Sequence, residues 1–82
     1  MTEEEIRNTL CQLLTGIAPD TDPARLKPGE DIRHALELDS FDALRFIAAL
    51  DEHFGINTPE SDYGKITTME SLVRYISRKT AG

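Results

Sequence analysis

Ser40 is the hydroxyl in this sequence whose surroundings suit chemistry. It follows Asp39, precedes Phe41 and Asp42, and stands where a Pro- and Gly-broken stretch gives way to an apolar repeat of helical spacing. A serine at such a junction either caps the helix or presents its hydroxyl to unpaired backbone N–H groups at the positive end of the helix dipole, a setting that accommodates phosphate. Nucleophilic catalysis by the same hydroxyl needs a base. His34 lies in the broken stretch, and His53 is more than three helical turns along. Neither is placed for that role, and no Gly-x-Ser-x-Gly elbow surrounds Ser40. A small hydrolase is therefore the weakest reading. Cys11 is the single cysteine, so an internal disulfide and a multi-cysteine zinc site are excluded. With no histidine or base beside it in sequence, it reads as a small structural residue. Asp20-Thr21-Asp22 opens like a calcium loop, but Arg25 and Asp31 stand where the glycine and closing glutamate belong. No metal site is expected.

The helix that Ser40 opens carries two apolar groups. Ala43, Ile47, Leu50 and Phe54 recur at i, i+4, i+7 and i+11, with Phe46 widening the stripe, and are expected to face a core. Phe41, Leu44 and Ala48 fall on roughly the opposite side. Either the preceding loop covers them or a partner does. Asp42, Arg45, Asp51 and Glu52 surround them, and an apolar centre with a charged rim has the make-up of a docking patch. Residues 30–62 carry nine acids and two bases, whereas residues 63–82 carry one acid and four bases. The middle of the chain is thus either a face for a basic partner or a solvated acidic surface.

Two further amphipathic helices and one short helix must hold this segment in place. The first helix spans Glu3 to about Thr15 on a stripe of Ile6, Leu10, Leu13 and Ile17, with Thr2 as N-cap and Gly16 and Pro19 marking its end. Residues 18–38 contain Pro19, Pro23, Pro28 and Gly29, which bars a long helix. Leu26, Ile32, Ala35, Leu36 and Leu38 nevertheless predict a loop pinned across the core, with at most a helical turn around Ile32–Leu36. The second helix starts at Asp39 or Ser40, capped by Asp39 with Asp42 as an imperfect capping box, and ends at Phe54. Gly55 supplies a left-handed terminus, with Ile56 folding back toward Leu50. Asn57-Thr58-Pro59 is a turn, and Glu60 to Lys65 forms a short helix at most. The last helix runs from about Thr68 to Lys79, with a Thr67/Glu70 capping box and Met69, Leu72, Val73 and Ile76 facing inward. Ala81 and Gly82 are expected to fray. No segment alternates with period two. The expected fold is all-α: a small four-helix bundle of three main helices and one short helix, with a long loop between helices 1 and 2 and residues 1–82 as one domain.

Composition agrees. The chain has 82 residues, 39% hydrophobic and 29% charged, with a net charge of −6. These values suit a soluble globular domain with a small core. The acidity argues against a nucleic-acid-binding face. No apolar run approaches the roughly 20 residues of a membrane span, and the acidic start, Met-Thr-Glu-Glu-Glu, is no signal peptide. A free-standing cytoplasmic monomer is the expectation.

The segment Leu36-Glu37-Leu38-Asp39-Ser40-Phe41-Asp42-Ala43-Leu44 resembles the attachment motif of acyl carrier proteins, in which an Asp-Ser-Leu-type tripeptide opens the second helix. Ala49 through Ile56 resembles the end of that helix, and Pro59-Glu60 with Lys65 through Leu72 resembles the family's third and fourth helix signatures. The resemblance covers the whole chain, including helix order and the long first loop. It implies that Ser40 carries a covalent 4′-phosphopantetheine arm taken from coenzyme A, installed by a phosphopantetheinyl transferase. It implies a non-catalytic carrier that holds acyl groups as thioesters for ketosynthase, acyltransferase or acyl ligase partners of fatty acid, polyketide or related lipid synthesis. Asp39, Phe41, Asp42, Leu44, Arg45, Ala48, Asp51 and Glu52 would then form the recognition face. The chain departs from the family's pattern at three positions. Phe41 replaces the commoner leucine, Arg45 stands where fatty-acid carriers usually have an acid, and Glu37 stands where many members have glycine. Arg45 points to a specialised carrier, because a positive charge on that face opposes partners built for an acidic helix. The competing reading is a helical interaction module with no prosthetic group, docking through Phe41, Leu44 and Ala48.

Overall fold

A computed structural model describes residues 1–81. The chain runs through four α-helices: α1 (Glu3–Ile17), α2 (Ile32–Ala35), α3 (Ser40–Phe54) and α4 (Met69–Thr80). Single 3-10 segments lie at Pro23–Arg25 and Glu60–Lys65. Among the described residues the one β-type pairing is an isolated antiparallel bridge between Asp31 and Thr68. The result is the small all-α bundle that the periodicity predicts. Ala81 lies beyond α4 and is exposed, while Gly82 lies outside the described residues.

Helix α1 begins at a full capping box. Thr2 Oγ1 accepts the Glu5 N–H at 3.1 Å, and Glu5 Oε1 accepts the Thr2 N–H at 2.8 Å. That backbone donor holds the Glu5 carboxyl below the usual carboxylate range. The helix runs through Gly16 to Ile17, beyond the end predicted at Thr15, because the Ala18 N–H still reaches the Leu14 carbonyl at 2.8 Å. Its buried stripe is Ile6, Leu10 and Leu14, with Leu13 and Ile17 only half-buried at its edges. The expected stripe through Leu13 is thereby corrected. Helix α1 packs against α3 and α4 together, so the line that faces the gap between them is i, i+4, i+8.

The long connection is pinned as expected. Leu26, Ile32, Leu36 and Leu38 are buried, and Ala35 is partly so. Polar ties complete the attachment. Arg7 donates to the Leu26 carbonyl at 3.1 Å, the Ile32 N–H to the Thr67 carbonyl at 2.8 Å, and the Glu70 N–H to the Pro28 carbonyl at 3.1 Å. These last two bonds account for a second correction. The N-cap of α4 is Thr68, whose side chain forms a capping box with Ser71, and not Thr67 with Glu70. The Thr67 carbonyl is committed to the loop, and the Glu70 carboxylate pairs with Arg74 at 2.7 Å.

Two part-buried polar ties join the segment after α3 to α3 and α4. Thr58 is 5% exposed and donates its hydroxyl to Asp51 Oδ1 at 2.6 Å and its backbone N–H to Oδ2 at 3.1 Å. Tyr75 is buried on α4 and donates its hydroxyl to Asp62 Oδ2 at 2.8 Å. That donor holds the Asp62 carboxyl below its ordinary range, while burial, then the bond to Asp62, raises the Tyr75 phenol. Both contacts join residues too far apart in sequence for a periodic pattern to announce them.

Candidate functional site

The N-terminus of α3 separates the two roles that the sequence offers Ser40. Asp39 takes the capping duty: its Oδ1 accepts the Asp42 N–H at 2.7 Å and its carbonyl accepts the Ala43 N–H at 3.0 Å. The return half of the imperfect box is not made, since Asp42 instead pairs with Arg45 at 3.7 Å. Ser40 is left exposed in the first turn with its hydroxyl free of backbone work. Arg33 Nη2 donates to Ser40 Oγ at 3.2 Å. Among the described residues no carboxylate or imidazole is hydrogen-bonded to that oxygen. The hydroxyl therefore has a cation beside it and no base.

Arg33 reaches Ser40 because the chain reverses between α2 and α3. The Leu38 N–H donates to the Arg33 carbonyl at 2.8 Å and the Glu37 N–H to the His34 carbonyl at 3.3 Å, the bond pair of a Schellman turn. Leu38 and Ile32, both buried, supply its apolar clasp. The pivot is Glu37 at φ 55, the left-handed region that glycine occupies without strain. Its side chain is exposed. Glu37→Gly should therefore stabilise the fold by about 0.5–1 kcal/mol, the strain relieved less the extra freedom of glycine in the unfolded chain. Thermal melts should show a midpoint about 2–8 °C higher. A lower midpoint would show that the Glu37 side chain contributes more than its backbone costs.

Beside Ser40 a cleft of about 440 Å³ opens between α2, α3 and the Glu60–Lys65 segment. Its floor is the buried Ile32, Leu38, Phe46 and Ile66, and its rim includes the exposed Arg33, Ser40, Leu44 and Glu60. Ala43 and Ile47 line it as well, and with Phe54 these members of the predicted core stripe are only half-buried, whereas Phe46 and Leu50 are buried.

The predicted docking residues divide in two. Phe41, Leu44 and Ala48 are all exposed on α3, Phe41 at 71% and Leu44 at 53%, so the long loop does not cover them. Asp39 and Glu52 are exposed nearby, and the exposed Arg45 pairs with the half-buried Asp42 at the surface, a kind of ion pair worth at most about 1 kcal/mol. Asp51 is different: it is half-buried and holds Thr58. Cys11 is partly buried, and that burial raises its thiol pKa, which removes thiolate character. Among the described residues no cluster of three or more His, Cys, Asp or Glu side chains could hold a metal ion, and no helix is long and apolar enough to cross a membrane. Sequence reasoning passed over Arg33. The available signal was that Arg33 and Arg45 are the only bases in the acidic stretch 30–62.

Residues 4–76 match the family model described as the phosphopantetheine attachment site. The chain belongs to the acyl carrier protein family. It is 36% identical over 76 residues to an acyl carrier protein of Rubrobacter xylanophilus, covering 93% of each chain. It is 28% identical to a mitochondrial acyl carrier protein of Neurospora crassa, covering 93% of this chain and 57% of that one. In structure it is similar to an acyl carrier protein from Enterococcus faecalis, with a TM-score of 0.73, 27% identity, and coverage of 96% of this chain and 99% of the other. Members of this acyl carrier protein family bear covalently attached 4′-phosphopantetheine, and this chain's cofactor is the same. The first turn of α3 fits the phosphate end of that group: a free hydroxyl, the adjacent Arg33 guanidinium, and the Ser40 and Phe41 N–H groups ahead of the Asp39-bound Asp42 N–H.

Proposed function

We propose that Ser40 is the attachment point of the arm and that the chain is a non-catalytic acyl carrier. The observation that carries this is the exposed Ser40 Oγ, relieved of capping by Asp39 and set 3.2 Å from Arg33 at the mouth of an apolar cleft. When bound, the arm supplies a terminal thiol that holds acyl groups as thioesters. Ser40 contributes the bond to phosphorus: the Oγ–P bond forms, the bond from phosphorus to the nucleotide half of coenzyme A breaks, and the nucleotide leaves. The hydroxyl proton goes to a base of the phosphopantetheinyl transferase, because this chain offers none at Oγ.

Phe41, Leu44 and Ala48 form the apolar centre of the recognition face, and Asp39, Asp42, Arg45 and Glu52 its rim. Asp51 supports that face by tying the end of α3 to Thr58. The partners are the transferase and the ketosynthase, acyltransferase or acyl ligase that load and process acyl groups of fatty acid, polyketide or related lipid synthesis. Residues 1–82 act as one carrier unit, a cytoplasmic monomer. The test is to incubate the chain with coenzyme A, Mg²⁺ and a broad-specificity transferase and to measure intact mass. A mass increase of one phosphopantetheine is expected, carried after digestion by the peptide holding Ser40. An unchanged mass favours an interaction module docking through the exposed Phe41, and ester turnover by the unmodified chain favours a hydrolase.

Arg45 marks the carrier as specialised. Its side chain is exposed and offsets the charge of Asp42 on the rim of the face. Arg45→Glu should raise kcat/KM with a housekeeping ketosynthase by about two- to fivefold, the scale of an exposed charge pair. A parent chain as efficient as a general carrier, with no gain on substitution, would count against specialisation.

A further inference from the structure

We infer that Arg33 is a positioning residue for the arm: its guanidinium holds the phosphodiester on Ser40 and sets the root of the arm over the adjacent cleft. The inference rests on Ser40 being the attachment point. Arg33 sits among carboxylates. Asp31, Glu37 and Asp39 line an open depression with it, next to the apolar cleft and sharing Leu38 and Thr67 with it. Yet among the described residues Arg33 forms no ion pair, and the hydrogen bond of its side chain goes to Ser40 Oγ at 3.2 Å. Two of those acids already serve as caps, Asp31 Oδ1 on the His34 N–H and Asp39 Oδ1 on the Asp42 N–H, and the Arg33 side chain meets the Ser40 hydroxyl from the backbone that carries it. That backbone is fixed on both sides. The Arg33 carbonyl accepts the Leu38 N–H, Ile32 is bonded to Thr67, and both Ile32 and Leu38 are buried.

Esterification of Ser40 would replace the hydroxyl proton with a phosphodiester, whose two non-bridging oxygens share one negative charge, beside the Arg33 guanidinium. A contact from a cation to a neutral oxygen becomes an ion pair open to bidentate geometry, which arginine makes and lysine does not. Partner enzymes that draw the arm into their own sites must then displace Arg33 with donors of their own.

The test compares unmodified and modified protein in the parent chain, Arg33→Ala and Arg33→Lys. Arg33 is exposed, so its removal leaves the core intact. Modification should favour the folded state about two- to fivefold more in the parent than in Arg33→Ala, with Arg33→Lys between them and the difference shrinking at high salt. The phosphorus NMR resonance of the arm should also move between the parent and Arg33→Ala. Modified proteins that show equal stability increments and one unmoved phosphorus resonance overturn the Arg33 assignment alone. A chain that never gains the adduct's mass on Ser40 overturns the attachment reading and this inference with it.

Discussion

Ser40→Ala is expected to stay at its unmodified mass when the parent chain is fully converted by transferase and coenzyme A, while melting within about 0.5 kcal/mol of the parent. The first half follows because only an oxygen at this position can form the bond to phosphorus. The second half follows from the division of labour at the start of α3. The cap is made by the Asp39 carboxylate on the Asp42 N–H, so Ser40 contributes no capping bond. The substitution removes only the exposed hydrogen bond that Arg33 donates to Ser40. Alanine also has the higher helix propensity in the first turn, which offsets part of that cost. Loss of modification without loss of fold assigns the hydroxyl a chemical role, and the two measurements are independent. An adduct that persists in Ser40→Ala places the attachment on another hydroxyl. A large drop in stability would show that Ser40 is part of the architecture after all.

The helix that frames this candidate site was readable from sequence because the contacts that start and end it are local. The Asp39 cap on the Asp42 N–H at one end of α3, and at the other the left-handed Gly55 at φ 65 with the Ile56 N–H returning to the Asp51 carbonyl at 3.1 Å, each join residues at most five positions apart. Choices between adjacent residues were not readable. Leu13 and Leu14 both follow Leu10 at helical spacing, and the packing of α3 and α4 on α1 selects Leu14. Thr67 and Thr68 each have a capping partner three residues on, and the Ile32 N–H decides by claiming the Thr67 carbonyl. Thr58 with Asp51, and Tyr75 with Asp62, are paired by the turn and 3-10 segment between α3 and α4, which the sequence marks only as irregular. Arg33 falls between these cases. Its charge stood out in an acidic stretch, but its aim at Ser40 depends on a reversal at Glu37 that the residue type disfavours.

Leu50 and Leu44 stand six residues apart on α3 and test whether burial, not hydrophobicity, sorts the helix into a structural and a functional face. Leu50 is fully buried in the common core, whereas Leu44 is 53% exposed at the cleft rim. Leu50→Ala removes a side chain closed in on every side and leaves a cavity that the bundle fills only in part, a change that costs about 2–5 kcal/mol. A domain of this size is stable by about 4–12 kcal/mol in all. The melting midpoint should therefore fall by at least about 8 °C, with a measurable unfolded fraction near the upper end of the cost. Leu44→Ala should shift stability by only about 0.5 kcal/mol, because the side chain already meets water. Its effect should instead fall on docking, as a raised KM for partner enzymes with the cofactor still attached. The contrast also guards the Ser40 experiment: any loss of modification in Leu50→Ala should track its unfolded fraction and recover on cooling toward the temperature of maximum stability. Equal destabilisation by the two alanines would move Leu44 into the core and leave Phe41 and Ala48 too small a patch to organise a docking face.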